Sequence, residues 1–337
     1  MSVFRQAAAF MTLGSLVQAF SLQTTYDSSN FLDKFYFRDA AYYYPTYPGD
    51  PTDGSVNYLS KTDALASGIV NTDNNQVYLG VDYTNKAQLL GNSTTVHGRD
   101  SVRLESVDTW STGIMIADIV HMPGTACGVW PAFWAYNFNE NPVGEIDIIE
   151  NINMQTQNIV SLHTCGQCTF TNIGGTDERA NCNNGGTISQ ACEDGQNFDG
   201  CGNTMSKGSY GSTFNAAGGG IYATWLEHDA LKLYWWKRSD IPADIASGNP
   251  DPTKWGTPAS QFLSGSNCNV GKYFKELTII INTDFCGNGI DQGTWESGCA
   301  ASTGVKTCDQ YITNNPKRLK ILTGCLTLSR FIIKELE

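Results

Sequence analysis

Charge is scarce in this chain, and positive charge is scarcer still. Only 16% of its 337 residues are Asp, Glu, Lys or Arg, and 21 basic residues face 33 acidic ones, for a formal net charge of −12. A surface so poor in Lys and Arg cannot replace the counterions of a polyanion, which argues against nucleic acid and against anionic membrane surfaces as partners. Histidine is rare as well, four in all and scattered, so a histidine-built metal centre has little to draw on. No apolar run beyond the first residues is long and clean enough to span a bilayer. Internal repeats and Pro/Ser-rich linkers are missing, which leaves one large domain as the simplest organisation. Sustained 3.6-residue periodicity is missing too, so the chain offers almost no convincing helix.

What the chain does have is strand-and-turn grammar. Short alternating runs such as Val77–Tyr83, Ser101–Leu104, Thr112–Val120, Ile221–Leu226, Leu231–Trp236 and Leu277–Asn282 are separated by Gly, Asn, Asp and Pro. Many short strands in one chain predict an all-β sandwich. The first 19 residues read as a secretory signal, with Arg5, a small apolar stretch from Ala7 to Val17, and a small-x-small site at Val17-Gln18-Ala19. The eleven cysteines, none of them in that segment, fit an oxidising compartment. Cys165-Gly-Gln-Cys168 also admits a zinc or redox reading, although no second such pair follows at zinc spacing. Asn92-Ser-Thr94 is a glycosylation sequon and suits a surface loop on the secretory route.

The sharpest local feature is Gly144-Glu145-Ile146-Asp147-Ile148-Ile149-Glu150. On a regular strand Glu145 and Asp147 share a face, and Glu150 falls on the other. One β-bulge near Ile148–Ile149 would return Glu150 to the acidic face. Two carboxyl groups so placed suit retaining glycoside hydrolysis, which needs them roughly 5–5.5 Å apart. Crowding like charges also raises at least one pKa, as a proton donor requires. A solvated acidic strand face and a calcium site remain open alternatives. Just upstream, Trp130-Pro-Ala-Phe-Trp134 offers two indoles that can face sugar rings or fill a core.

The Glu strand and its Trp-rich approach together resemble glycoside hydrolase family 16, and more narrowly its fungal secreted endo-β-1,3(4)-glucanases (laminarinases). The likeness continues through Asp50–Tyr58, Gly98–Arg103, His121–Pro123, Ser161–Thr164, Ser209–Asn215, Trp255–Pro258, Phe285–Gly287 and Cys308–Tyr311. It implies a concanavalin A-like β-jelly-roll of two curved antiparallel sheets with a concave substrate cleft. It also implies a retaining mechanism, with Glu145 as nucleophile, Glu150 as acid/base and Asp147 tuning Glu145. Trp130, Trp134, Arg103, His163 and Asn57 are implied to bind substrate. No cofactor is expected, though a structural calcium on the outer sheet stays open. The expected partner is a neutral β-glucan, met by a secreted monomer with an acidic pH optimum. A cell-wall glucan transglycosylase and a glucan-binding lectin are the rival readings.

Three departures stand out. The family often carries a further Trp before the Glu strand, and Asn137–Val143 has none; Trp295 is the nearest candidate for a second missing Trp after Gly287. The end of the chain departs most. Residues 317–337 carry five basic and two acidic residues and the odd cysteine, Cys325. They read as an atypical tail beyond a 20–316 domain, explained by a mistaken or alternative gene-model ending; a genuine tail is expected to leave the domain without its last strand and with an exposed sheet edge.

Overall fold

The computed structural model describes residues 20–43, 50–87, 98–138, 143–165, 170–172, 198–266, 268–322 and 326–336. The signal segment, the Asn92 sequon and Cys325 lie outside them. Eighteen strands follow in order: β1 (Phe20–Asp27), β2 (Phe35–Phe37), β3 (Val56–Tyr58), β4 (Val70–Asn71), β5 (Val77–Leu79), β6 (Arg99–Ser101), β7 (Arg103–Trp110), β8 (Gly113–His121), β9 (Val129–Tyr136), β10 (Gly144–Glu150), β11 (Ile159–Cys165), β12 (Thr171–Asn172), β13 (Phe198–Thr204), β14 (Gly220–Leu226), β15 (Ala230–Lys237), β16 (Ser260–Leu263), β17 (Leu277–Phe285) and β18 (Leu326–Leu336).

They form two large antiparallel sheets and a small parallel β3–β6 pair. One sheet has seven strands in the order β13-β11-β10-β9-β17-β7-β2. The other has nine, β12-β16-β15-β14-β8-β18-β5-β4, with β1 also on β18. The alternating residues of the two inner faces make one core. Ile146, Ile148, Leu162, Ile279 and Ile281 come from the first sheet, and Met115, Ala117, Tyr222, Leu231 and Ile333 from the second. This is the sandwich that the strand grammar predicts, in the jelly-roll form that the family resemblance implies. Helices exist but run only one or two turns, such as Lys61–Ala66, Gln292–Gly298 and Cys308–Asn314. Caps at Ser60, Asp291 and Thr307 start them, and they are too short for a periodicity signal.

The C-terminal expectation needs correction. Residues 326–336 are not an appendage but a strand within the nine-stranded sheet, paired with β8 on one side and with β5 and β1 on the other. Leu326, Leu328 and Ile333 are buried in the main core, and Leu319 is fully buried in a second one. Alternation in Leu-Thr-Leu-Ser supplies the strand signal, which the basic charge of the segment masks. The edge expected to lie open is therefore filled, and the domain runs past residue 316.

The second core packs the short C-terminal helices against one end of the sandwich. Disulfides Cys127–Cys299 and Cys286–Cys308 bolt it there. Cys165, Cys201 and Cys268 are disulfide-bonded too, so Cys165 serves as a staple and not as a zinc ligand. Trp295 belongs to this core: it is fully buried, with its indole N–H donated to the Val305 carbonyl at 3.0 Å, and cannot replace a cleft tryptophan.

Candidate active site

The outer face of the seven-stranded sheet carries the acidic residues. Cross-strand register arranges its side chains in rows. One row reads Tyr36, Glu105, Ile280, Trp134, Asp147, Ser161 and Gly202. A second reads Thr278, Tyr136, Glu145, His163 and Gly200, and a third Arg103, Asn282, Ala132, Glu150 and Ile159. Glu145, Asp147 and Glu150 thus sit in three adjacent rows of one face.

Glu150 reaches that face through a bulge. Against β9 the register shifts between Asp147 and Ile149, and against β11 between Asp147 and Glu150. The extra residue restores the parity that strict alternation would break. Asn158 holds the bulge. Its Oδ1 accepts from the Glu150 amide at 2.9 Å, and its Nδ2 donates to the Ile148 carbonyl at 2.8 Å. Asn158 is fully buried, so water cannot take its place.

The carboxylates are tied in as follows. Trp130 Nε1 donates to Glu150 Oε1 at 2.7 Å. His163 Nε2 lies 3.3 Å from Asp147 Oδ2. One ligating atom each from Glu145, Asp147 and His163 fall within 4.8 Å of one another, the only such trio among the described residues. Gly200 lets the imidazole lie flat over β13, since a Cβ there would sit 2.5 Å from His163 Nδ1.

All three carboxyl groups are held above their ordinary range. Burial is the leading cause each time. Asp147 is pushed up to about 7. Glu150 is pushed up to about 8, by burial and then by the Asp147 charge, against the pull of the Trp130 hydrogen bond and His163. Glu145 is raised by burial and by Asp147, with His163 opposing. Glu145 and Asp147 are close enough to titrate as a pair that shares a proton. Desolvation outweighs like-charge crowding at all three groups.

The remaining expected residues divide. Trp134 is anchored by Nε1 to Asn282 Oδ1 at 2.8 Å, and the Arg103 guanidinium lies over its ring at 5.0 Å. Arg103 is only 6% exposed and sits between Trp134 and Tyr43, not in a surface ion pair. Its Nε is 3.7 Å from Glu105 and has no hydrogen-bond partner. Asn57 stands apart on the β3–β6 pair, with its amide given to Asp100 at 2.7 Å. The sequence reading missed Asn158, Asn282 and Glu105, and also Tyr136 and half-exposed Phe138. These two rings extend the wall past Trp134 in edge-to-face contacts of 6.3 and 4.8 Å. Phe138 falls within the Asn137–Val143 stretch that lacks the expected further tryptophan.

A sandwich with three desolvated carboxyl groups and a line of aromatics on one open sheet face is the frame of a carbohydrate-active enzyme. Residues 42–321 match the model for the XgeA-like catalytic domain of glycoside hydrolase family 16, and the chain belongs to that family. An endo-1,3(4)-beta-glucanase of Arthroderma benhamiae is 38% identical over 92% of this chain. The chain spans 65% of that relative and under half of several Aspergillus ones. Among solved structures, an elongating family 16 beta-1,3-glucosyltransferase is 35% identical, with a TM-score of 0.77 over 94% of this chain and all of its own. Laminarinase 16A from Phanerochaete chrysosporium, solved with beta-glucans in donor and acceptor sites, is 30% identical with a TM-score of 0.75, covering 94% of this chain and 99% of its own.

Proposed function

We propose that this chain is the catalytic domain of a secreted, retaining endo-β-glucanase that cleaves β-1,3- or mixed β-1,3/1,4-glucan. The observation that carries this is the bulged strand, which turns Glu145 and Glu150 to the same face with Asp147 between them. In the first step the Glu145 carboxylate attacks the anomeric carbon. The glycosidic oxygen leaves with the proton of Glu150, and a glucosyl ester forms on Glu145. Glu150, now ionised, then takes a proton from water, and the resulting hydroxide displaces Glu145. Asp147, whose Oδ2 lies 3.3 Å from His163 Nε2, takes a proton from Glu145 and so leaves it ionised when it attacks. Trp130 and Trp134 face the sugars, Arg103 takes their hydroxyls, and Asn92 carries the glycan of the secreted monomer. Reducing-sugar release from laminarin and from barley mixed-linkage glucan tests the reading. The wild type should release sugar from at least one of them and Glu145→Ser from neither. A well-folded wild type inert on both refutes it.

A second reading shares the same carboxylates. If a sugar hydroxyl and not water resolves the ester, the enzyme lengthens glucan chains. The likeness to the elongating glucosyltransferase favours keeping it. Product analysis at high oligosaccharide concentration separates the two, since transfer yields chains longer than the substrate.

A further inference from the structure

The row that holds Asp147 does not end at Trp134. It continues through Ile280 and Glu105 to Tyr36 on β2, the last strand of the sheet. Four strand steps separate Asp147 from Tyr36, roughly 19 Å at ~4.8 Å per step. At this far end two tyrosine rings stand in solvent, Tyr36 at 50% and Tyr42 at 54% exposure. Between them lies the Arg38 guanidinium, 4.8 Å from the Tyr36 ring centre and 4.2 Å from that of Tyr42.

This stack is built, not incidental. Arg38 Nε donates to Glu105 Oε2 at 2.6 Å. Glu105 is buried and accepts from the Tyr43 hydroxyl at 3.2 Å through its other oxygen. The arginine is thus fixed from below by a carboxylate that is itself fixed, and it sets the two rings on either side. Rings ordered in this way lose little entropy when a ligand covers them. Large exposed aromatics cost the free protein solubility and, when clustered beside a cleft, mark a binding surface. The place of Tyr36 in the same cross-sheet row as Asp147 points to the ligand: a sugar chain lying across the strands over Asp147 passes over Tyr36, beside which Tyr42 stands. Neutral sugar rings present apolar faces to aromatics and need no opposing charge.

We infer that Tyr36 and Tyr42, ordered by Arg38, form a distal platform for the same β-glucan chain whose bond is cut at Glu145 and Glu150. This rests on the glucanase reading above. The platform makes the enzyme favour chains long enough to reach from the carboxylates to β2. It gives the cleft an aromatic contact far from the site where the further tryptophan is missing.

The test compares kcat/KM on laminariheptaose and laminaritetraose. In Tyr36→Ala/Tyr42→Ala the ratio of the two should fall about tenfold, the worth of one good aromatic contact. Tyr36→Phe/Tyr42→Phe keeps the rings and should keep the ratio. Tyr42→Ala alone should lower it part of the way, and it serves if the double variant does not fold. An unchanged ratio in the alanine variants overturns the platform while leaving the glucanase reading intact. A wild type that cuts neither oligosaccharide, and neither laminarin nor barley mixed-linkage glucan, overturns the glucanase reading, and the platform with it.

Discussion

Asn158→Ala removes the side chain that closes the β10 bulge. It leaves the Glu150 amide and the Ile148 carbonyl without partners in a site that water does not reach. Each orphaned buried group costs roughly 1–3 kcal/mol, so a loss of about 3 kcal/mol is expected for the pair. The functional loss should be larger than the stability loss suggests. Glu150 owes its face to the bulge, and a 1 Å misplacement of a catalytic group can cost about 100-fold in rate. Urea denaturation of the folded variant and kcat/KM on laminarin measure the two effects. Asn158→Asp is the control: it keeps the acceptor for the Glu150 amide and loses the donor to Ile148, so it should fall between. A variant within about 0.5 kcal/mol of wild type and fully active would show that β10 keeps its bulge without Asn158, and the reasoning would be wrong.

Other consequences are as direct. Gly200→Ala places a methyl 2.5 Å from the His163 ring and should tilt it away from Asp147; kcat should drop with little change in thermal midpoint, and an unchanged kcat counts against any role for that ring. Glu150 has a raised pKa in the folded protein, so the native state binds a proton there more tightly than the unfolded chain does. Its stability penalty is absent at pH 4, grows as pH rises past the ordinary glutamate range, and is complete above about pH 8. Glu150→Gln should therefore raise Tm by several degrees at pH 8.5 and hardly at all at pH 4, whereas equal shifts at both would deny the burial effect. Cys127→Ala/Cys299→Ala opens a crosslink between residues 172 apart and should cost about 2–5 kcal/mol in chemical denaturation, with the loss felt first in the second core.

The sandwich was legible because its strands alternate cleanly between Gly, Asn and Pro breaks. The bulge was legible for a different reason: three carboxylates at uneven spacing make chemical sense only if one residue is extra. Asn158 gave no such hint, since its partners lie eight and ten residues back and only the fold brings them together. Trp295 misled because an indole near a family motif reads the same whether it lines a cleft or fills a core. Leu326–Leu336 misled because its charge differs from the rest of the chain while its alternation, the property that makes a strand, does not. Tyr36, Arg38 and Tyr42 lie in a run crowded with aromatics, where only the cross-strand register of Tyr36 and the Arg38 contacts to both rings tell which of them share the face of the carboxylates.

The retaining role of Glu145 and Glu150 is tested most directly by following the anomeric configuration of the new reducing end by proton NMR during early laminarin hydrolysis. A double displacement through Glu145 predicts that the β-anomer forms first and the α-anomer only later, by mutarotation. First appearance of the α-anomer would mean that water attacks directly, and Glu145 would not be the nucleophile.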